Sequence, residues 1–522
     1  MKHLTLLTII FIIVGCSSFK KEQNNVKLSP IMDKALNDKN SYFYADFVNF
    51  PAEKRVLPIG VFDSGTGGLT VLERLLSLDE FDNITGEKKP DGILDFAGED
   101  FSYVADQANM PYGNYSSEGK DDYLRELAVK DALCLLSSKY CENVVDYKKP
   151  TGVKSPSKII VIACNTATAY GLNDINTLLE QSKTGVKVIG VVNAGVNALL
   201  DFIADTINIS SGEKIDQHGG NEYGVGVLAT VGTIASGAYD RTIKESNKIK
   251  LKENDTIIIG NNKGVIPFKG NINVVSYGAA GFAEAVDMEP DFVNRKLSSP
   301  RNTYRGPVIG VGENDIKKEL LPVYNFKYGD NDVLYTKSAN GYEAFQLNSA
   351  ANYARFHLVS LIEKYMATGT TSKLKAVILG CTHYPFLLDT LKTVINELKH
   401  YKVNDKYPYK DIIADDFTFI DPAVYTAIEC YKSLREDNIL SLKVKESKLD
   451  AYISVPAYGL PSDKVDSLGN LTYSFKYGRN YGTEEISTLF VPFSNRYING
   501  DNLKRIESRL PFSYNLIKEI LN

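Results

Sequence analysis

Two apolar runs in this sequence end on a cysteine. "IIVIACNTATA" delivers Cys164 with Asn165 and Thr166 behind it, and "AVILGCTHYPF" delivers Cys381 with Thr382 and His383 behind it. A thiol where a strand gives way to a helix is exposed to the helix N-terminus, which favours the thiolate. Cys164 is therefore expected to have a lowered pKa. A lone cysteine is more often an inert core residue, but polar neighbours at both positions count against that. A thiol flanked by amide, hydroxyl or imidazole is suited to moving a proton on a small polar ligand.

Four other stretches carry polar groups at strand ends. "IGVFDSGTGGLTVL" (59–72) ends a strand on Asp63 and Ser64, and glycines then open a helix whose free N–H groups suit an anion. No Lys-Ser/Thr follows those glycines, so it is not a phosphate-binding Walker loop. "ADQANMPYGNYSS" (105–117) holds Pro111, Tyr112 and Gly113, a turn with an exposable phenol and a backbone amide. "GVLATVGTIASGAYDRTI" (226–243) brings Thr230 and Thr233 to another strand-to-helix junction. "VSYGAAGFAEAVD" (275–287) places Glu284 among small residues.

The elements that must position these groups are short apolar strands alternating with helices. Strands are predicted at 57–62, 92–98, 158–164, 187–192, 224–230, 272–278, 376–381 and 417–421, with helices at 67–78 and 235–246. Near-continuous apolar strands between helices indicate parallel sheets covered on both faces. Ligands bind such sheets beyond the carboxyl ends of their strands. The two Cys-bearing stretches read alike, which suggests two similar halves facing across a cleft. Segments at about 114–157, 209–221, 290–350, 400–415 and 431–522 read as additions, the last with short alternating runs of a small β appendage.

Composition narrows the function. The chain has 522 residues, 43% hydrophobic and 24% charged, with a net charge of −5, so nothing points to nucleic acid. Trp is absent and Tyr numbers 32. The six cysteines are widely spaced, which is not a disulfide framework, and no second Cys/His pair has zinc spacing. No metal is expected. "MKHLTLLTIIFIIVGCSS" has a basic start and an apolar run too short to span a bilayer, then Gly15-Cys16. It resembles a bacterial lipoprotein signal, which implies cleavage before Cys16, lipidation of that residue and a polar tether over 17–54. A lipid anchor at Cys16 would be the protein's contact with a membrane, at the bacterial cell envelope on the periplasmic or outer-membrane face. Without use of the signal the protein would be cytoplasmic.

Taken together in order, "IGVFDSGTGGLTVL", "PYG", "ACNTATA", "GTIASGAY" and "LGCTHYPFL" resemble the cofactor-independent glutamate racemases of the aspartate/glutamate racemase superfamily. The resemblance covers about 57–430. It implies an α/β fold of two doubly wound, pseudo-symmetric parallel-sheet domains, with the active site in the cleft between them, plus insertions and a C-terminal appendage. Half one would be 55–192, completed by about 385–430. Half two would be 193–384, with an insertion at about 290–350, and 431–522 would be an extension without assigned role. By the same resemblance Cys164 and Cys381 are the paired catalytic thiols, Asp63 supports the first and His383 the second. Glu284 is the family's glutamate, counted from Ser276. Ser64, Pro111, Tyr112, Gly113, Asn165, Thr166, Thr230, Thr233 and Thr382 would contact an acidic amino acid. The family uses no cofactor.

The sequence departs from the family where Glu-Pro-Gly becomes Asn193-Ala194-Gly195 and where a Cys-Pro stretch becomes Ser276-Tyr277-Gly278. The expected function is interconversion of L- and D-glutamate, with supply of D-glutamate for peptidoglycan as the family task. The alternative is an envelope protein that binds acidic amino acids or cell-wall fragments without turnover. A Cys381–His383 hydrolase would leave Cys164 without a role. The resemblance is compatible with a homodimer.

Overall fold

The computed structural model describes residues 28–145, 150–210, 222–249, 271–339, 341–441, 445–483, 486–498 and 500–521. Cys16 and its signal lie outside the described residues, as does most of the segment 209–221.

Two sheets carry the molecule. The first is built on Ile59–Asp63, Phe101–Ala105, Ile159–Ile162 and Lys187–Gly190. The second comprises Glu222–Ala229, Asn271–Gly278, Leu374–Gly380 and Ile413–Ile420. Counted along the chain within each half, the spatial order is second, first, third, fourth in both. Every pairing among these eight strands is parallel. Ile59–Asp63 and Ile159–Ile162 are buried throughout, the pattern of strands covered on both faces. The halves are topological repeats, and Cys164 and Cys381 each follow the third strand of their own half. The winding reverses between first and third strands, which is where such sheets hold ligands.

Several expectations need correction. Residues 92–98 are not a strand: Gly92 and Gly98 have φ of 82° and 91°, and the Asp95 carboxylate accepts from the Glu80 and Phe81 amides in a compact turn. The strand begins at Phe101. Strand Ile413–Ile420 pairs with Leu374–Gly380, so that part of 385–430 belongs to the second half. Helix Pro422–Glu436 packs on helix Leu69–Ser77 and on helix Val191–Ser210. Within the expected tether, Ser29 caps helix Pro30–Asn37, whose Ile31, Met32 and Ala35 are buried beside helix Asp121–Leu136.

The C-terminal extension is woven into the first sheet. Leu449–Pro456 runs parallel to Phe101–Ala105, and Thr488–Pro492 pairs antiparallel on its outer edge. "LTYSFKYG", which alternates like a strand, contains helix Tyr473–Gly478, with the Tyr473 and Tyr477 rings 4.6 Å apart one turn from each other. Helix Pro511–Ile520 packs on Leu69–Ser77. Tyrosine does the work of the absent tryptophan: Tyr103, Tyr112, Tyr239, Tyr353 and Tyr384 are among the largest fully buried side chains.

Candidate active site

A small cavity of about 40 Å³ lies where the ends of the two sheets meet. Both thiols line it, Cys164 from the first half and Cys381 from the second. Asp63, Ser64, Asn165 and Thr166 contribute from the first half, and Thr230, Glu284, Thr382 and His383 from the second. Pro111, Tyr112 and Gly113 close one side. Thr233 does not line it.

Cys164 is the N-cap of helix Asn165–Ser182, and its sulfur accepts from the Ala167 amide at 3.3 Å. Its thiol donates to Ser64 Oγ at 3.7 Å. Asp63 Oδ2 accepts from the Gly68 amide at 2.7 Å. Burial, with the Asp63 carboxylate next to it, pushes the Cys164 thiol up, against the pull of the Ala167 amide. The expected lowering is therefore reversed: the helix N-terminus is there, and desolvation outweighs it. Burial likewise raises Asp63.

Cys381 has a different neighbour. His383 Nδ1 lies 3.5 Å from its sulfur and 3.5 Å from Thr382 Oγ1. On the far side of the ring, His383 Nε2 donates to Asp287 Oδ2 at 2.8 Å. Asp287 Oδ1 accepts from Arg505 at 2.7 Å, and Arg505 also reaches the Val286 carbonyl. Burial works against a charged His383, but the charge and hydrogen bond of Asp287, with Cys381, outweigh it and hold the imidazole protonated well above its ordinary range. Burial would also raise Asp287, but His383 and Arg505 pull it down to about 2. The faces of the cavity thus differ in charge, with a carboxylate behind Cys164 and an imidazolium behind Cys381.

Hydroxyls and amides lock the halves together around this pair. Thr166 Oγ1 lies 3.1 Å from Thr230 Oγ1 and 3.0 Å from Thr233 Oγ1. Tyr239 donates to Asn165 Oδ1 at 2.6 Å. Gly67 faces His383 so closely that a Cβ there would sit 2.6 Å from the imidazole Cε1. The Phe282 ring stacks on Tyr384 at 4.3 Å, fixing the short helix Phe282–Val286 to the His383 loop.

The expected role of the Tyr112 phenol is corrected. It donates to Asp106 Oδ2 at 2.5 Å and contacts Asp131 Oδ2 at 2.7 Å, so it is not exposable. One hydroxyl proton cannot serve two carboxylates, and burial holds Asp131 well above the carboxylate range, so Asp131 carries the second proton. Only the remainder of Tyr112 faces the cavity.

No protein-family model matches the chain. Among curated proteins it is 26% identical over 329 residues to a glutamate racemase of Staphylococcus epidermidis, which covers 62% of this chain and 92% of that one. It is 31% identical over 192 residues to a glutamate racemase of a Sulfurihydrogenibium species, covering 37% of this chain and 51% of that one. A glutamate racemase of Bacillus cereus is 29% identical over 195 residues, 37% of this chain and 50% of that one. The chain is glutamate racemase-like. It spans nearly all of the first relative and about half the length of the other two. Racemases are isomerases, so the likeness is to an amino-acid isomerase. A solved glutamate racemase isoform from Bacillus anthracis overlays loosely, with 20% identity, 76% of this chain, 89% of that chain and a TM-score of 0.39.

Two residues of this racemase-like cleft escaped the sequence reading. The carboxylate bonded to His383 is Asp287. Glu284 lines the cavity with a pKa raised by burial. Asp287 lies one helical turn beyond Glu284, so the i, i+3 pair "EAVD" was the available signal. Arg505 gave no local signal, since it lies 218 residues from Asp287. Other extension residues brace the site: Lys476 donates to the Met110 carbonyl at 2.5 Å and Tyr477 to the Pro111 carbonyl at 3.2 Å. Among the described residues, no group of three or more His, Cys, Asp or Glu is placed to hold a metal.

Proposed function

We propose that this chain is a two-base amino-acid racemase that interconverts L- and D-glutamate through Cys164 and Cys381. The observation that carries the reading is the meeting of the two thiols in one cavity from equivalent strand ends of the two repeats. Inversion needs a proton removed from one face of Cα and delivered to the other. A thiolate on one side takes the α-proton and becomes a thiol. The thiol on the other side gives its proton to the carbanion and becomes a thiolate. The reverse direction exchanges the roles, so the proton count balances in both.

Each base has its own support. The His383 imidazolium beside Cys381 offers an opposite charge to a thiolate there. Asp63 sits behind Cys164, whose raised pKa suits it to hold a proton. Asp287 and Arg505 are positioning residues that keep His383 oriented and charged. The hydroxyls of Ser64, Thr166, Thr230 and Thr382 and the helix N-terminus behind Cys164 are fixed dipoles for the substrate carboxylate and the developing carbanion. Supply of D-glutamate for peptidoglycan is the physiological use that accompanies this reading.

Export belongs to the same reading and rests on the sequence at Cys16. A Cys16→Ser protein is expected to leave the membrane fraction, while native protein stays in it until detergent is added. The activity is tested by incubating purified protein with L-glutamate and separating enantiomers by chiral chromatography. Either enantiomer should be converted to an equal mixture of L- and D-glutamate. Its absence with both glutamate and aspartate overturns the proposal.

A further inference from the structure

The catalytic cavity is confined to the space around the two sulfurs, about 40 Å³. Beside it lies a much larger chamber of about 850 Å³. Met110, Pro111, Glu284, Asp287 and Glu289 line both spaces, so the chamber adjoins the cavity along one shared wall. Its size is in the range of pockets that bury whole ligands of several hundred daltons, far more than one amino acid needs.

The far wall of the chamber comes from the C-terminal extension, through residues of 453–477 and 496–502. Away from the wall shared with the cavity, three cations (Arg305 of the 290–350 segment, and Lys476 and Arg496 of the extension) line the chamber against one carboxylate, Asp466, among Tyr458, Tyr473 and Tyr497. The Arg305 guanidinium lies 5.0 Å from the Tyr473 ring and Arg496 lies 5.6 Å from the Tyr497 ring. The catalytic cavity itself has no Arg or Lys. Of the shared acids, Asp287 is already paired with His383 and Arg505, and burial beside Glu284 lifts Glu289 to about 8. Lys476 is held by the Met110 carbonyl, which leaves the Arg305 and Arg496 guanidiniums, set against tyrosine rings, to meet carboxylates that the cavity does not serve.

We propose that the cleft acts on a terminal glutamate carried in a short acidic peptide, as well as on the free amino acid, with the rest of the peptide held in the extension-walled chamber. This rests on the two-thiol reading above and names its substrate class. A terminal residue fits because the cavity admits only one reacting centre, while the chamber takes the remaining residues. The chemistry is unchanged: one α-proton leaves to a thiolate and one returns from the opposite thiol.

The test is α-deuterium exchange followed by NMR in heavy water, with glutamate, glutamyl-glutamate and glutamyl-lysine as probes. One terminal residue of glutamyl-glutamate should exchange with kcat/KM at least tenfold above that of glutamate, and glutamyl-lysine should gain nothing. Arg496→Ala and Tyr458→Ala, both exposed chamber positions, should remove that advantage and leave exchange with glutamate intact. Exchange with glutamate but not with glutamyl-glutamate overturns the inference and leaves the racemase reading standing. So does a peptide advantage that survives both substitutions. No exchange with any probe overturns both together.

Discussion

His383 donates through Nε2 to Asp287 at 2.8 Å, while its other ring nitrogen lies 3.5 Å from Cys381. One imidazole therefore couples the Cys381 sulfur to a buried carboxylate, and Arg505 holds that carboxylate from the C-terminal extension. The second thiol has no such chain behind it. Cys164 is set by Asp63, Ser64 and a helix N-terminus. The two halves repeat each other in topology but not in the charge that faces the cavity.

Removing either sulfur should stop inversion while sparing part of the chemistry. Cys164→Ser and Cys381→Ser are each expected to lower racemisation about 10²–10⁴-fold, the usual scale for a positioned acid or base. Each variant should still wash out the α-proton of one enantiomer, and the two should differ in which. Single-enantiomer exchange followed by NMR checks this. Equal loss with both enantiomers in both variants contradicts it.

The Arg505 contact should be visible in a pH profile. Arg505 and His383 together hold Asp287 at about 2. Replacing Arg505 with Met removes one cation, so the Asp287 pKa rises and the acid limb of kcat/KM moves to higher pH, by about one unit. Arg505→Lys should restore most of the native profile. A merely structural role would lower kcat without moving the limb.

Stability should carry the same signature. Asp287 has a folded pKa below its ordinary value, so its contribution is complete above about pH 4 and is lost as pH falls through about 2. His383 is raised, so its contribution is complete below about 6.5 and is lost as pH climbs through its folded value. Both are complete between about pH 4 and 6.5. Asp287→Asn should cost about 2 kcal/mol or more in that window, and less outside it, by urea unfolding. A gap that does not change with pH would remove the ion pair from the account.

Gly67 reports on how closely the halves meet. An added Cβ would lie 2.6 Å from His383 Cε1 and 2.8 Å from Thr382 Oγ1. Gly67→Ala should displace the imidazole, lower kcat at least tenfold and lower the unfolding midpoint by straining the His383–Asp287 pair. Native kcat in that variant would mean that the loops part in solution.

Much of this was legible in the sequence because strands buried on both faces announce themselves as apolar runs. Residues 159–162 lie inside the predicted strand 158–164, 59–63 and 374–380 overlap the predicted strands 57–62 and 376–381, and the groups at their ends meet in one cavity. The turn at 92–98 was misread because an apolar run hid two glycines with positive φ. Within 431–522, residues 473–478 alternate apolar and polar as a strand would, and alternation does not separate a strand from a short helix whose tyrosines pair one turn apart. The raised Cys164 pKa was hidden because burial is a property of the assembled cleft. Arg505 was hidden because nothing within its own stretch points to Asp287.

The most direct test is α-proton exchange of L-glutamate in heavy water, comparing native protein with Cys164→Ser and Cys381→Ser. Native protein should incorporate deuterium at Cα and yield D-glutamate, and each variant should lose the inversion. Absence of α-deuterium from glutamate and aspartate with native protein, or inversion that survives loss of either sulfur, would contradict the two-thiol account.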